Sequence, residues 1–376
     1  MVATTTSVIR TPLPSAPITN VTGMAKGDVL DALARNHANM RVDDYALSKH
    51  LRGELPTGVI DLAICAGGLR GSVILGDGTI EACTSEGMRE KNQDGYAVGM
   101  IVFNNGLQIR MLSYSDGAGS NAMSHIASGA FLFGVMSKMI EIAFDPGKFG
   151  FAEALLETGM HEFGKVVESY PGIDATASTK MIAGRKGSSA HVGDGLNVRF
   201  DRGSTPQEFI PREWAEIHRL RTPPHESLAH RVTRSLGGLM CGEVQSDLSR
   251  YTMTAGGLWL GTTDGAEAII GSEKYRRLTP RDPEETGPQS SLEYDTFDEL
   301  MALLHKRPSG DSLSQFLHDE IKERMPGSSS GDNITVVVLR DPGGSLVDGE
   351  LVIPDYYLPL NRVGRPEGEA SSRRAG

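Results

Sequence analysis

Between residues 59 and 114 the apolar positions fall in short runs separated by Gly and Asn, the pattern of strands joined by tight turns. Val73-Ile74-Leu75 runs into Gly76-Asp77-Gly78, a hairpin turn signal, and Thr79-Ile80 follows. Residues 96–103 (YAVGMIVF) and 107–114 (LQIRMLSY) flank Asn104-Asn105-Gly106, the strongest short hairpin signal in the chain. Leu107, Ile109 and Met111 alternate with Gln108 and Arg110, as in a half-buried strand. The period then lengthens. Residues 121–143 are almost continuously apolar and predict a helix buried over most of its surface. Residues 150–169 predict a more amphipathic helix that stops at Pro171-Gly172. Strands are expected again at 174–183, 188–192 and 196–200, and a further hairpin at 250–255 and 258–262 turning on Gly256-Gly257. Helices are expected at 296–306 and 311–324, the second with Leu313, Phe316, Leu317 and Ile321 as its core stripe. Residues 334–339 make a final buried strand.

Outside this core, residues 26–52 carry helical signals at Val29, Leu30, Leu33, Tyr45, Leu47 and Leu51. Residues 1–23 are Thr-, Ser- and Pro-rich without an apolar stretch, and read as a flexible arm. Residues 201–230, with Pro206, Pro211, Pro223 and Pro224 among mixed charges, read as a long surface excursion. The expected organisation is an N-terminal arm and helical extension at 1–55, one main domain at 56–341, and a C-terminal extension at 342–376 ending in disorder. Strands and helices alternate in blocks, which points to α+β layering and away from a doubly wound parallel sheet.

Composition narrows the function. Of the 376 residues, 37 are Lys or Arg and 48 are Asp or Glu, a formal charge of −11 that disfavours a nucleic-acid partner. No unbroken run of apolar residues reaches the length of a membrane span, so no span is expected. Cys65, Cys83 and Cys241 are too few and scattered for a disulfide framework, which implies a reducing, cytoplasmic setting.

Asp-Gly dipeptides occur at Asp77, Asp94, Asp116, Asp194, Asp264 and Asp348. Most such pairs are turns, and Asp77 and Asp348 are read so. Asp116, however, ends a strand and opens a long helix, where no hairpin needs turning. Asp264 ends another strand, and Asp332 directly precedes the last one. Aspartates at strand ends can converge on one edge of a sheet, and a cluster of carboxylates is what Mg²⁺ or Mn²⁺ requires. Residues 117–122 also fit a dinucleotide fingerprint. Against that reading, Asp116 would set a carboxylate beside the pyrophosphate, and a second helix follows where a parallel strand is needed. His161-Glu162 lacks a second zinc-binding histidine, residues 184–188 read as a hairpin turn, and His191 reads as a packed strand residue.

Six segments taken in order resemble one family: Arg89-Glu90-Lys91-Asn92-Gln93-Asp94, Ser115-Asp116-Gly117-Ala118-Gly119, Ala190-His191-Val192-Gly193-Asp194, residues 231–238 (RVTRSLGG), Thr263-Asp264-Gly265, and Gly331-Asp332-Asn333-Ile334-Thr335-Val336. Together they are similar to the metal-dependent protein serine/threonine phosphatases of type 2C (the PPM family), of the compact bacterial kind. The resemblance covers about 60–340. It implies a four-layer αββα sandwich of two antiparallel β-sheets flanked by helix pairs, with two Mn²⁺ or Mg²⁺ ions at one end. It also implies Asp116 between the ions, the Gly117 carbonyl, Asp264 and Asp332 as further ligands, and Asp94 as a ligand acting through water. Arg89 would clamp the phosphate, with Gln93 and Asn333 supporting the ligands from behind.

The chain departs from the family in three places. Gln93 stands where many members carry Glu. Ala118 replaces a histidine that some members use as an acid, and Asn121 stands where bacterial members often have His. An accessory third ion would use Asp194 and an acid four residues after Asp264, but that position is Ala268, with Glu267 one residue out of register.

The activity implied is hydrolysis of phosphoserine and phosphothreonine in proteins, a phosphoric monoester hydrolase working opposite a cognate Ser/Thr kinase system. Two alternatives are a catalytically weak phosphatase-like module that binds phosphorylated partners, and a small phosphomonoester hydrolase on the same scaffold.

Overall fold

The structure, a computed structural model, describes residues 46–50, 59–67, 71–75, 78–118, 123–145, 149–203, 209–219, 232–237, 246–279, 294–307, 312–327 and 332–341. The expected N-terminal arm, Asp77, Asn121 and the C-terminal extension lie outside them.

Two antiparallel sheets stack face to face. The first holds seven strands in the order β1 (Ala46–His50), β2 (Val59–Gly67), β5 (Gly95–Phe103), β6 (Gln108–Asp116), β7 (Thr176–Ala183), β8 (Lys186–Val192) and β11 (Asp247–Thr252). The second holds six, in the order β10 (Phe209–Trp214), β9 (Leu196–Arg202), β12 (Leu258–Thr262), β13 (Ile334–Arg340), β4 (Ile80–Ser85) and β3 (Gly71–Leu75). Helices α1 (Ser124–Phe144) and α2 (Ala152–Val167) cover the outer face of the first sheet. Among α3 (Glu267–Ile270), α4 (Ser272–Arg277), α5 (Asp298–Lys306) and α6 (Leu313–Arg324), α6 lies on β13 and β4, and α3 packs on α4, α5 and α6. The result is the α+β layering that the strand and helix order suggested, in the four-layer α–β–β–α form that the resemblance implied.

Three apolar layers hold it together, and single strands feed two of them at once. In β5, Ala97, Ile101 and Phe103 face the helices while Tyr96, Val98 and Met100 face the other sheet. In β13, Val336 and Val338 face α6 while Val337 and Leu339 meet the first sheet. A strand covered on both faces has no polar side to alternate with, which is why β5 and residues 336–339 of β13 read as apolar runs. Helices α1 and α2 meet glycine to glycine: a Cβ on Gly134 would lie 2.5 Å from the Thr158 carbonyl oxygen and 2.8 Å from Gly159 Cα. By length and mean hydropathy (1.5 over Ser124–Ala143) α1 could cross a membrane, against expectation, but 78% of that stretch is buried within the sandwich.

Three further expectations need correction. Residues 46–50 form β1, an edge strand paired with β2, although the stretch 26–52 reads as helical. The hairpin expected at Gly256-Gly257 does not form. Strand β11 pairs with β8 in the first sheet, and β12 with β9 and β13 in the second, so this turn carries the chain between sheets. The surface excursion at 201–230 starts instead as ordered structure: β10 pairs with β9, and Ile217, His218 and Arg219 are buried.

Candidate metal centre

Antiparallel pairing decides which strand ends share an edge. Gly95 pairs with Ser115, so Asp94 just before β5 lies beside Asp116 at the end of β6. Thr262 pairs with Val336, so Asp264 just after β12 comes to the same end as Asp332 just before β13. Asp194 sits on the β8–β9 connection at that end too. The strand-end aspartates singled out from the sequence are thus brought together.

Local contacts fix Asp94 in place. Its backbone N–H donates to Asn92 Oδ1 at 3.0 Å, and Asn92 Nδ2 donates to Thr84 Oγ1 at 2.9 Å. The Thr84 hydroxyl meets Thr335 Oγ1 at 2.7 Å, and Thr335 in turn donates to Asp94 Oδ2 at 3.2 Å. This chain of bonds ties the second sheet to a carboxylate of the first. Gly117 N–H donates to the Gln93 carbonyl at 3.1 Å, and a Cβ there would stand 2.7 Å from the Ser124 backbone, so the turn from β6 into α1 needs a glycine. Asn333 accepts the Gln93 N–H at 2.9 Å and donates to the carbonyls of Glu86 and Lys91, pinning the loop that carries Arg89.

The electrostatics call for a cation. Asp94 is 1% exposed, and its Oδ1 is buried without a donor; Asp264 Oδ1 is in the same condition. Burial, with the charges of Asp332 and Asp264, pushes the Asp94 carboxyl up to about 8, although Asp116 and Thr263 offer hydrogen bonds that oppose the rise. Burial and the neighbouring Asp94 charge drive Asp116 well above the carboxylate range, and burial with Asp332 does the same to Asp264. Like charges this close cannot all ionise unaided. Six carboxylates (Asp94, Asp116, Asp194, Asp264, Glu267 and Asp332) face two guanidinium groups, Arg89 and Arg219, so full ionisation would leave four negative charges unmatched. That is the charge of two divalent ions. An all-oxygen donor set with orphaned buried oxygens fits Mg²⁺ or Mn²⁺.

Arg89 is the exposed member. Its Nε and Nη2 donate to Asp332 Oδ1 and Oδ2 at 3.2 and 2.8 Å, and the hydrogen bond to Asp332 raises its pKa further. The expected phosphate clamp therefore rests on an expected metal ligand, at the rim of the cluster.

Two residues were not singled out for the centre. Arg219 donates to Asp194, Asp264 and Glu267 at once, and Glu267 is 3% exposed. No spacing or period marks Arg219: it is one of several arginines in a Pro-rich, charged stretch. The proximity of Glu267 to Asp264 was visible, but its approach through a cation was not.

Two rival arrangements are weaker. Glu216, His218 and Asp247 bring ligand atoms within 4.8 Å of one another, but Arg234 already lies 3.3 Å from both His218 Nε2 and Asp247 Oδ1. Ser85, His318 and Asp319 are joined as in a nucleophilic triad, at 2.7 and 3.0 Å, yet Ser85 is 5% exposed, so substrate cannot reach it. His191 is a packed strand residue as read, its imidazole 1% exposed between the Gly193 carbonyl and Asn197.

No protein-family model and no curated protein sequence matches the chain. Among solved structures, the Mycobacterium tuberculosis serine/threonine phosphatase PstP/Ppp is 20% identical over 69% of this chain and 96% of its own, with a TM-score of 0.45. The catalytic domain of PstP in complex with two manganese ions matches over the same shares at 20% identity and a TM-score of 0.43. Serine/threonine phosphatase Stp1 from Staphylococcus aureus is 18% identical over 70% of this chain and 95% of its own, with a TM-score of 0.43. The chemistry has to come from the residues of this chain.

Proposed function

We propose that the chain is a metal-dependent hydrolase of phosphoserine and phosphothreonine in proteins, a phosphatase of type 2C whose catalytic unit spans 56–341. The observation that carries this is the buried carboxylate cluster at one end of the sandwich, with unpartnered oxygens on Asp94 and Asp264 and six carboxylates set against two guanidinium groups. Asp94, Asp116, Asp264 and Asp332, with the Gly117 carbonyl, are the residues that would hold two Mn²⁺ or Mg²⁺ ions. Bound there, the ions supply Lewis acidity, neutralising a phosphate dianion and acidifying water near neutral pH.

The rest belongs to the chain. Arg89, half-exposed at the rim, presents the planar fork that grips two phosphate oxygens. It gives up Asp332 to do so, and that carboxylate is then free for an ion. The Thr84–Thr335–Asp94 chain and Asn333 hold the ligands and the Arg89 loop at fixed separation, so positioning is paid in folding and not at the moment of reaction. None of the residues assigned to the site is a serine or cysteine nucleophile, and Cys83, buried with its thiol pushed up to about 12 by that burial, cannot act as one. A reducing cytoplasm and an opposing Ser/Thr kinase complete the setting.

The test is release of phosphate from a phosphothreonine peptide by the purified chain with Mn²⁺. Activity should vanish with chelator and return on re-addition, and Asp116→Asn should lower it by at least about 100-fold. Turnover indifferent to chelation overturns the proposal. Binding of the peptide without turnover selects the phosphopeptide-binding module instead.

A further inference from the structure

Arg219 lies in none of the sequence motifs, yet it is buried at the heart of the acid cluster. Three of its nitrogens reach three carboxylates, Asp194 on one connection and Asp264 and Glu267 together on another: Nε to Asp194 Oδ2 at 2.6 Å, Nη2 to Asp264 Oδ2 at 2.6 Å, and Nη1 to Glu267 Oε2 at 2.7 Å. The side chains of Arg219, Asp194 and Glu267 are only 2–3% exposed. Burial opposes the charge, but Asp194 and Asp264 foremost hold the guanidinium above its usual pKa. The backbone delivers it there. His218 N–H donates to the Gly193 carbonyl at 3.1 Å, Ile217 N–H to the Leu278 carbonyl at 2.9 Å, and Arg219 bridges to Val232. The Tyr275 ring lies 5.2 Å from the guanidinium, and its hydroxyl donates to the Asp194 carbonyl at 2.7 Å.

This placement does two things. Asp264 gives Oδ2 to Arg219 and keeps Oδ1 buried and without a donor, so one oxygen is held by the protein while the other remains available to an ion. Asp194, Asp264 and Glu267 would otherwise be three buried carboxylates converging on one point, an oxygen set suited to a hard divalent cation. The guanidinium stands where that cation would.

We infer that Arg219 is an internal cation that positions Asp264 and withholds Asp194 and Glu267 from ions, so that the centre takes two divalent ions and no third. This rests on the metal reading proposed above, and it makes Arg219 a positioning residue, since it acts through Asp264. Asp194 is accordingly a partner of arginine and not a metal ligand.

The test counts ions without measuring activity. The full chain and its variants are titrated with Mn²⁺, and free Mn²⁺ is read by electron paramagnetic resonance. Wild type and Asp194→Asn should each bind two, because an amide oxygen still accepts from Arg219. Arg219→Gln uncovers the three-carboxylate set and should bind three, whereas Arg219→Lys, which restores the charge, should return the count to two. A wild-type count of three overturns the inference, as does loss of an ion in Asp194→Asn or a count of two in Arg219→Gln. Should Arg219→Gln fail to fold, the wild-type and Asp194→Asn counts decide. A wild-type count of zero overturns the metal reading itself, a result distinct from two in every variant.

Discussion

Removing one carboxylate from the centre should make the metal-free protein more stable while destroying its metal binding. In Asp94→Asn the amide keeps the shape of the side chain, and its Nδ2 can donate to Asp116. In the wild type the folded carboxyl holds its proton to about pH 8, against 3.8 for the ordinary group. Between those values the folded state binds more protons than the unfolded state, so raising the pH favours unfolding. At about 1.4 kcal/mol per pH unit, the metal-free wild type should lose up to roughly 4 kcal/mol between pH 5 and pH 8 through this site. The proton is shared with Asp116, so half of that would still meet the expectation. The assay is urea unfolding in chelator at pH 5, 6, 7 and 8, followed by fluorescence of Trp259, which is 1% exposed. The advantage of Asp94→Asn over wild type should grow steadily across the series. Saturating Mn²⁺ at pH 8 should reverse the order, because only the wild type gains binding energy. Parallel pH curves for the two proteins, or a variant less stable than wild type in chelator at pH 8, would refute the reasoning.

Two other expectations concern the body of the sandwich. Lys180 is fully buried between the sheets, bonded to Ser178 and Asn197, and burial lowers its pKa to about 7. The unfolded lysine keeps its proton up to 10.5, so the unfolded state binds the extra proton and stability rises with pH from 7 to 10. Lys180→Met should therefore stabilise the protein most at or below pH 7, with the advantage shrinking by about 1.4 kcal/mol per pH unit above it; a gap constant with pH would contradict this. Gly134→Ala drives a methyl group into the α2 backbone and should cost about 1–3 kcal/mol in urea unfolding. The proposed phosphatase activity per folded molecule should be unchanged, and a variant as stable as wild type would show that the helices can part there.

Much of the scaffold could be read from the chain because the physics involved is local. Asn104-Asn105-Gly106 can turn only one way between apolar runs, and Gly106 adopts φ +85° there. Strand β13 reads as an apolar run from Val336 to Leu339 because both its faces are covered there. The acids were legible for a related reason: each sits at a strand end, all but Asp332 in an Asp-Gly dipeptide, and antiparallel pairing brings such ends together. What could not be read depends on choices between distant partners. Strand β11 alternates exposed and half-buried positions at an edge, so the sequence shows a strand but not which sheet receives it. Gly256-Gly257 looks like a hairpin turn and is a crossing between layers. The Arg219 cluster leaves no period at all, because carboxylates from two distant segments choose one arginine among several only once the sandwich has closed.

The central claim is that Asp94, Asp116, Asp264 and Asp332 share a pair of divalent ions. Anomalous diffraction from crystals of the chain soaked in Mn²⁺ tests it directly. Two strong peaks should appear among those four carboxylates, with Arg219 still on Asp194 and Glu267. Peaks confined to Glu216, His218 and Asp247, or none in the acid cluster at saturating Mn²⁺, would contradict the account.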